Sequence, residues 1–449
     1  MSDLNPLTKA GTSELEEQRL AKLATLKAKG IDPYPVRFPD KQDISAIRQQ
    51  HFGPANDLTP AEDVAAVSAA GRVVAIRDMG KAQFLHIQDQ SGKMQIYAGN
   101  KTLNEEDYFV LTQLDLGDIV GIKGRPFRTK TNEPSIHAGE LKILSKNLAP
   151  LPVVKEKDGE TYDGISDIEL RYRQRYIDLA VNNDARNTFA LRSAILREIR
   201  DLLHNRGFME VETPMMQAIA SGAAARPFKT HHNALDIDLH LRIAPELYLK
   251  RLIVGGYEKV FEMNRNFRNE GISTKHNPEF TMIEIYQAYA DYNTMMELTQ
   301  DIFEHLAIRL IGSTELPYGE HTISVKKPWK KIGYLESIKD ATGLDFEKFL
   351  GDAEPSAAEA KKMAASIGLR AEGLHTFWEV VDLVFSEKVE PKLIQPTIVM
   401  HYPKAISPLA KSIPGNEHFV ERFEPYITGR EMGNAFSELN DPLEQERRF

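Results

Sequence analysis

Two apolar runs, Glu258 to Glu262 and Phe280 to Tyr286, bracket a charged turn that reads Phe267-Arg268-Asn269-Glu270-Gly271-Ile272-Ser273-Thr274-Lys275-His276-Asn277-Pro278-Glu279-Phe280. The pattern predicts strand, charged loop, strand, with Glu284 and Tyr286 at the end of the second strand. A loop that gathers Arg, Glu, His and Asn around a glycine can hold a polyanion through Arg268 while its neighbours grip a flat base. The competing reading, a solvated charged hairpin, leaves the length and composition of the loop unexplained.

The chain has 449 residues, too many for one ordinary core, so two or three domains are expected. Apolar residues make up 42% and charged residues 27%, the proportions of a soluble globular protein. The absence of cysteine excludes disulfides and thiolate metal sites and leaves open a hard cation held by carboxylates. The start Met1-Ser2-Asp3-Leu4-Asn5-Pro6 has no basic-then-apolar signal, and no apolar run approaches the ~20 residues that span a bilayer. A cytoplasmic protein with no membrane partner is the expectation. The net charge of −9 argues against broad non-specific binding to nucleic acid, although a local patch can still serve an RNA partner.

Along the chain, Ser13 to Lys29 predicts an amphipathic helix with Leu15, Leu20, Leu23 and Leu26 near helical spacing, Ser13 as N-cap and Gly30 as stop. From Val64 to Pro150 the texture becomes β-rich. Gly71 to Arg77, Phe84 to Asp89, Lys93 to Tyr97, Asp118 to Gly124 and Gly139 to Leu144 predict five short strands separated by turns, as in a small Greek-key barrel of the oligonucleotide-binding (OB) type. Glu105-Glu106-Asp107 and Asp115 belong to a helical insert between strands. After a Pro- and charge-rich connector, Leu151 to Gly164, helical texture runs from Asp167 to Leu179. A long helix then spans about Asp184 to Asn205, with an apolar stripe of Ala190, Ala194, Ile195, Ile199, Leu202 and Leu203 and a stop at Gly207. Strands are expected at Met209 to Pro214, at Thr397 to Met400 and within Phe419 to Glu438, and 312–391 reads as a helical insertion without a chemical motif. The fold class is therefore α+β, in three segments: an N-terminal helical extension over 1–63, an OB barrel over 64–150, and a larger domain over 151–449.

Several carboxylates stand in places where charge is costly. Glu246 follows Pro245 at a predicted helix start, where burial calls for a cation, although a helix dipole alone also favours an N-terminal Glu. Glu284 and Tyr286 lie two apart on a strand and share a face, with Glu284 among Met282, Ile283 and Ile285. Thr428-Gly429-Arg430 predicts a hairpin turn that brings Glu424 near Glu431, and two convergent carboxylates suit Mg²⁺ bound to nucleotide phosphates. Asn434 and Glu438, four apart, share a face. Strict alternation puts Glu431 on the other face, which a bulge near Gly433 reconciles.

The loop from Phe267 to Phe280 resembles motif 2 of the class II aminoacyl-tRNA synthetases, most similar in wording to the lysyl-tRNA synthetases. The long helix followed by Gly207-Phe208-Met209-Glu210-Val211-Glu212-Thr213-Pro214-Met215-Met216 resembles motif 1, with Pro214 at the family's fixed proline. The resemblance implies an anticodon-binding barrel joined to a catalytic domain whose mixed, mainly antiparallel sheet is flanked by helices, and a homodimer formed through motif 1. It implies catalytic Arg268, and an ATP site of Arg268, Glu270, His276, Asn277, Phe280, Glu424 and Glu431 with Mg²⁺ on Glu424 and Glu431. It implies a lysine site of Gly222, Glu246, Arg268, Glu284, Tyr286, Asn434 and Glu438, under a loop from Ser221 to Phe228. Ser221 and Ala435 stand where glycine is common in the family. In the barrel it implies anticodon readers Arg77, Phe84, His86, Gln95 and Glu140, with Phe84 free to stack on an unpaired base.

The implied reaction is ATP-dependent attachment of L-lysine to tRNA(Lys) through a lysyl-adenylate. A sibling enzyme for aspartate or asparagine is disfavoured by Glu284, since a carboxylate substrate calls for a cation there. The family's third motif, a Gly-rich strand and helix ending in Arg, is expected after Pro442, and the sequence ends at Phe449. A weakly active or inactive chain, or an RNA-binding or regulatory paralogue without catalysis, is the alternative expectation.

Overall fold

The computed structural model describes residues 13–53, 65–152, 155–157, 160–162, 167–219, 222–223, 225–273, 276–351 and 355–448. Readings that touch Ser221, Ala224, Thr274, Lys275 and most of the connector before Ile168 lie outside them. The chain divides into two compact units, Met1–Arg186 and Asn187–Phe449.

In the first unit, β1 (Val67–Asp78), β2 (Ala82–Gln88), β3 (Lys93–Gly99), β4 (Ile119–Arg128) and β5 (Pro134–Ser145) form a closed barrel in the order β1-β2-β3-β5-β4. Alternate residues point inward, as a strand's period of two dictates, so Leu85, Ile87, Met94, Ile96, Val120, Ile122, Ile136, Leu141 and Ile143 fill the interior. The register shifts between Lys123 and Gly124 against β5, and a Cβ at Gly124 would lie 2.3 Å from the His137 carbonyl oxygen. Only glycine lets the two strands close at that bend.

Helix α1 (Glu14–Ala28) starts at the predicted N-cap Ser13, which forms a full capping box with Glu16, and Gly30 follows it at φ +74°. Its leucine stripe is only partly used: Leu26 is buried while Leu15 and Leu20 stay exposed. The helix is held instead by Arg19, a buried guanidinium that donates to the carbonyls of Leu116, Asn147 and Ala149. Lys22 adds an ion pair with Asp115, which also meets the fully buried Lys146 ammonium. Leu26, with Ile44 and Ile47 of α2 (Ile44–His51), completes the barrel's own core, so the extension and the barrel share one core. Helix α3 (Glu105–Thr112) is the expected insert, capped by Asn104, and Asp115 falls beyond its end. A two-stranded ribbon, β6 (Lys155–Lys157) and β7 (Glu160–Tyr162), and the short helices α4 (Ile168–Arg173) and α5 (Arg175–Val181) complete this unit.

The division between units falls within α6 (Asn183–Asn205). Gly207 at φ +79° ends this helix and returns Phe208 onto Leu203, both buried with Phe261 and Leu298. Of the expected stripe Leu203 is buried, Ala194, Ile195, Ile199 and Leu202 are half-buried, and Ala190 is exposed. The strand expected to reach Pro214 shortens to β8 (Met209–Glu210), which pairs in parallel with Val260 and Phe261. Three more short strands, β9 (Met216–Gln217), β10 (Lys229–His232) and β11 (Ile237–Leu241), form a separate sheet before helix α7 (Glu246–Val254).

The hairpin that bounds the charged loop is β12 (Lys259–Phe267) and β13 (Glu279–Gln287), nine residues against nine from Lys259↔Gln287 to Phe267↔Glu279. Helix α8 (Tyr292–Leu306) follows, then the hairpin β14 (Glu315–Tyr318) and β15 (His321–Ser324). The stretch read as an insertion is partly woven into the main architecture. β16 (Lys330–Gly333) pairs in parallel with β17 (Thr397–Met400), and α9 (Tyr334–Thr342), α10 (Ala357–Ser366) and α11 (Phe377–Lys388) share one core with that sheet. The sheet continues antiparallel through β18 (Arg422–Ile427) to β19 (Arg430–Glu431), with β20 (Ala435–Phe436) also beside β18, and α12 (Pro442–Arg448) follows. Among the described residues no helix is long and apolar enough to cross a membrane.

Candidate active site

Helix α7 starts at Glu246, directly after Pro245, and its geometry fixes the partner of that carboxylate. One turn on, Lys250 donates its ammonium to Glu246 at 2.6 Å and reaches Glu438 at 2.9 Å. The cation that the buried Glu246 calls for is thus supplied within the chain. Gly222, at φ +93°, lies against this corner: a Cβ there would come within 3.0 Å of the Cβ atoms of Ala244 and Glu246.

The second wall comes from the hairpin. Glu262 and Glu284 stand directly opposite each other on β12 and β13, with their side chains on one face. Two such charges side by side repel unless one is matched. Glu262 is matched: the buried Arg242 donates to it at 2.6 Å and the hydroxyl of half-buried Thr213 at 2.6 Å. Arg242 also donates to the carbonyls of Thr213 and Arg265, pinning the segment before Pro214 to β12. Among the described residues Glu284 receives only the Tyr286 hydroxyl, at 3.1 Å. Burial, reinforced by the charges of Glu246 and Glu262, pushes Glu284 up to about 7, against the pull of Tyr286 and Lys250. Burial also raises Glu438, opposed by Lys250, and raises Tyr286 beside Glu284, Glu246 and Glu438. Glu246, Glu284, Tyr286 and Glu438 therefore converge on one acidic pocket.

A second cluster forms around the end of β12. The Arg268 guanidinium sits 5.1 Å from the centre of the Phe280 ring, and among the described residues its buried Nε has no hydrogen-bond partner. Such a donor, flanked by a flat ring, is arranged to receive an anion and a base.

The C-terminal hairpin turns at Thr428 and Gly429, both at positive φ, as a two-residue type I′ turn requires. Beyond it the expected bulge is present. Tyr426 pairs with Glu431 and Phe423 with Ala435, so three steps on β18 face four on the returning strand. That extra residue brings Asn434 to the face of Arg422, whose Nε donates to it at 3.0 Å. On the same face Glu424 is buried and fully oriented: Tyr402 and Tyr426 donate to one oxygen at 2.7 and 2.6 Å, and Arg422 to the other at 2.6 Å. Burial and then the charge of Glu424 push Glu431 up to about 7, while Arg422 and Arg268 pull it down. Two convergent carboxylates on one face, with the charge of Glu424 raising Glu431, are a fit for a hard divalent cation. Among the described residues no group of three or more His, Cys, Asp or Glu accompanies them, so phosphates and water would complete its shell.

Glu270, His276 and Asn277 are not brought against these clusters. They lie exposed on the loop, His276 with Ser273 at 3.0 Å and Asn277 donating to the Glu279 carbonyl. The loop is tied to the segment after Gly222 through Asn269, whose N–H donates to the Arg226 carbonyl at 2.7 Å.

On the barrel, pairing aligns Arg77, Phe84, Tyr97, His137 and Arg125 in one row across the strands. Phe84 is half-buried on the outer face, 5.2 Å from Tyr97, and is not a core residue. The next row holds His86 and Gln95, the latter accepting from Ser135 at 2.7 Å, and Glu140 stands exposed opposite Lys123.

Sequence reasoning missed Lys250, Arg422, Tyr402, Tyr426 and the Arg242–Glu262 pair. The first was legible from its i+4 spacing to Glu246, and Tyr426 and Arg422 from their period-two spacing to Glu424. Nothing local marks Tyr402, which β17–β18 pairing brings in.

Comparison with known proteins agrees with this layout. The profile of the class II tRNA synthetases (D, K and N) matches residues 167–449, and that of the OB-fold nucleic acid binding domain matches 67–144. The lysine–tRNA ligase of Carboxydothermus hydrogenoformans is 51% identical over 437 residues, covering 97% of this chain and 86% of that protein. That of Pelotomaculum thermopropionicum is 51% identical, covering 97% and 83%, and that of Halalkalibacterium halodurans 47% identical, covering 98% and 85%.

Proposed function

The chain belongs to the class II tRNA synthetase family, and from that premise we infer that it is a lysine–tRNA ligase, joining L-lysine to tRNA with ATP. The observation that carries the choice of amino acid is the pocket of Glu246, Glu284 and Glu438, in which, among the described residues, Glu284 has no cation of its own within hydrogen-bonding distance. A substrate with a carboxylate side chain would meet repulsion there, and one with an ammonium would meet a partner.

In the first step a carboxylate oxygen of lysine attacks the α-phosphorus of ATP and pyrophosphate leaves. In the second, a terminal ribose hydroxyl of tRNA attacks the lysyl carbonyl and AMP leaves. No covalent enzyme intermediate is required, so catalysis rests on positioning and charge stabilisation. Arg268, whose Nε has no partner among the described residues, holds the α-phosphate and the lysine carboxylate, and Phe280 stacks on adenine. Glu270, His276 and Asn277 contact ATP as the loop closes on it. Glu246, Glu284, Tyr286, Asn434, Glu438 and the Gly222 backbone hold the amino acid. Glu424 and Glu431 would hold Mg²⁺, which neutralises phosphate charge when bound, and strict dependence of adenylation on the added ion checks this.

The barrel reads the anticodon of tRNA(Lys) through Arg77, Phe84, His86, Gln95 and Glu140, and the segment 151–449 carries the chemistry. Exposed Leu191, Met209, Met215 and Met216 on α6 and the strands after it support a homodimer, and a monomer by sedimentation would remove that reading. Pyrophosphate exchange into ATP tests the whole assignment. Dependence on lysine is expected, and exchange driven equally by aspartate or asparagine would overturn it.

A further inference from the structure

Lys250 is absent from the set of residues that would touch the substrate, yet it bridges two of them that are far apart in sequence. Its ammonium lies 2.6 Å from Glu246 on its own helix and 2.9 Å from Glu438 near the C-terminal end of the chain, with the Phe436 ring 5.8 Å away. We propose that Lys250 is the resident counter-ion of the amino-acid pocket, a positioning residue that clamps Glu246 to Glu438 and trims the pocket's negative charge to what a diamino acid balances.

The charge count carries the argument. Among the described residues the groups facing this corner are Glu246 and Lys250 from α7, Glu284 and Tyr286 from β13, Glu262 from β12 and Glu438 from the C-terminal segment. Glu262 is already neutralised by Arg242. When all three remaining carboxylates are ionised, they stand against the one ammonium of Lys250, which leaves two negative charges. Free lysine brings two ammonium groups, and its carboxylate is directed to Arg268. With Lys250 in place the filled pocket is neutral. Without it, a third carboxylate would be buried with no cation, and burial of an unmatched charge is relieved by taking up a proton. Protonated carboxyls are poorer partners for ammonium groups. The loss of Lys250 therefore steepens the pH dependence that Glu284 already gives to lysine binding, because further protons must be driven off before the pocket takes its substrate. Lys250 itself is held in its charged form: burial opposes this, and Glu438 and Glu246 outweigh it.

This inference rests on the lysine-pocket reading, and the test separates the two. Lysine dissociation constants of the full chain, by calorimetry from about pH 6 to about pH 8, are compared for the parent, K250M, K250Q and K250R. K250Q keeps two hydrogen-bond donors without the charge, and thermal melts followed by circular dichroism show which variants fold. Lysine binding by K250M and K250Q is expected to be about tenfold weaker than the parent near the acid end, and the deficit to shrink steadily toward the alkaline end. K250R is expected to keep the parental pH dependence. A deficit that is constant with pH in folded K250M and K250Q, or no deficit, overturns the counter-ion role. E284Q is the control: if it leaves lysine affinity unchanged, the pocket reading falls and this inference falls with it. If E284Q weakens lysine while the Lys250 variants show no pH-dependent deficit, the pocket stands and only Lys250 loses its role.

Discussion

Tyr286 donates its hydroxyl to Glu284 at 3.1 Å from two positions along the same strand. The period of a strand puts both side chains on one face, and the hairpin places that face over Glu246 and Glu438. Glu284 is thus oriented by a neutral donor while its charge is left for a ligand. Glu284→Gln keeps the shape and the Tyr286 contact but removes the charge. Lysine binding should weaken by on the order of 3 kcal/mol, roughly a hundredfold, with ATP binding little changed. Calorimetry with each ligand measures both, and unaltered lysine affinity would count against the pocket.

The raised titration of Glu284 gives a pH dependence of definite sign. Its carboxyl is pushed up to about 7 in the folded chain by burial and by Glu246. Between the ordinary carboxyl range and that value the folded state holds a proton that the unfolded state has lost. The site's contribution to stability is therefore present at lower pH and is lost as pH rises through this window. Lysine affinity should move the opposite way, rising as Glu284 ionises. Thermal melts with and without lysine across the window test this: the stabilisation by lysine should grow with pH in the parent and much less in Glu284→Gln.

Arg242 and Glu262 are almost wholly buried and 2.6 Å apart. Removing one partner strands the other charge in the interior, so Glu262→Gln or Arg242→Met should each cost about 3–5 kcal/mol of stability. The double replacement should cost less than the sum. Urea unfolding of the four proteins measures the coupling, and strictly additive losses would show that the pair is not a unit.

The sequence was most informative where a local period decides the structure. The five barrel strands follow from alternation, and α1 from its cap. The bulge between Glu431 and Ala435 follows from asking Glu431 and Asn434 to serve one face. It was least informative where distant pairing decides. Tyr402 reaches Glu424 only because β17 lies beside β18, and β16 joins the sheet through a parallel pairing that no hairpin turn announces. The stretch 312–391 showed no chemical motif, which hid its share in the core. Lys250 was visible at i+4 from Glu246, but spacing alone does not show that it also reaches Glu438. The leucine stripe of α1 overstated its apolar contact, because a buried arginine bound to three carbonyls does the anchoring.

Phe84 faces outward on the barrel with Tyr97 5.2 Å away and Arg77 beside it, so its ring is braced on one side and open on the other. A core phenylalanine would leave a cavity on truncation and destabilise the fold; a half-buried outer ring removes little packing. What it loses is a stacking surface, and stacking an unpaired base on an aromatic ring contributes ~1–3 kcal/mol. Phe84→Ala should therefore weaken tRNA binding by roughly tenfold to a hundredfold. The melting temperature and lysine-dependent pyrophosphate exchange should barely change, since neither involves RNA. Filter binding with tRNA(Lys) and with the same tRNA carrying an altered anticodon gives the decisive contrast. The substitution should narrow the gap between the two RNAs. A uniform loss on both would make Phe84 a general RNA contact, and an unchanged gap together with a lowered melting temperature would return it to the core.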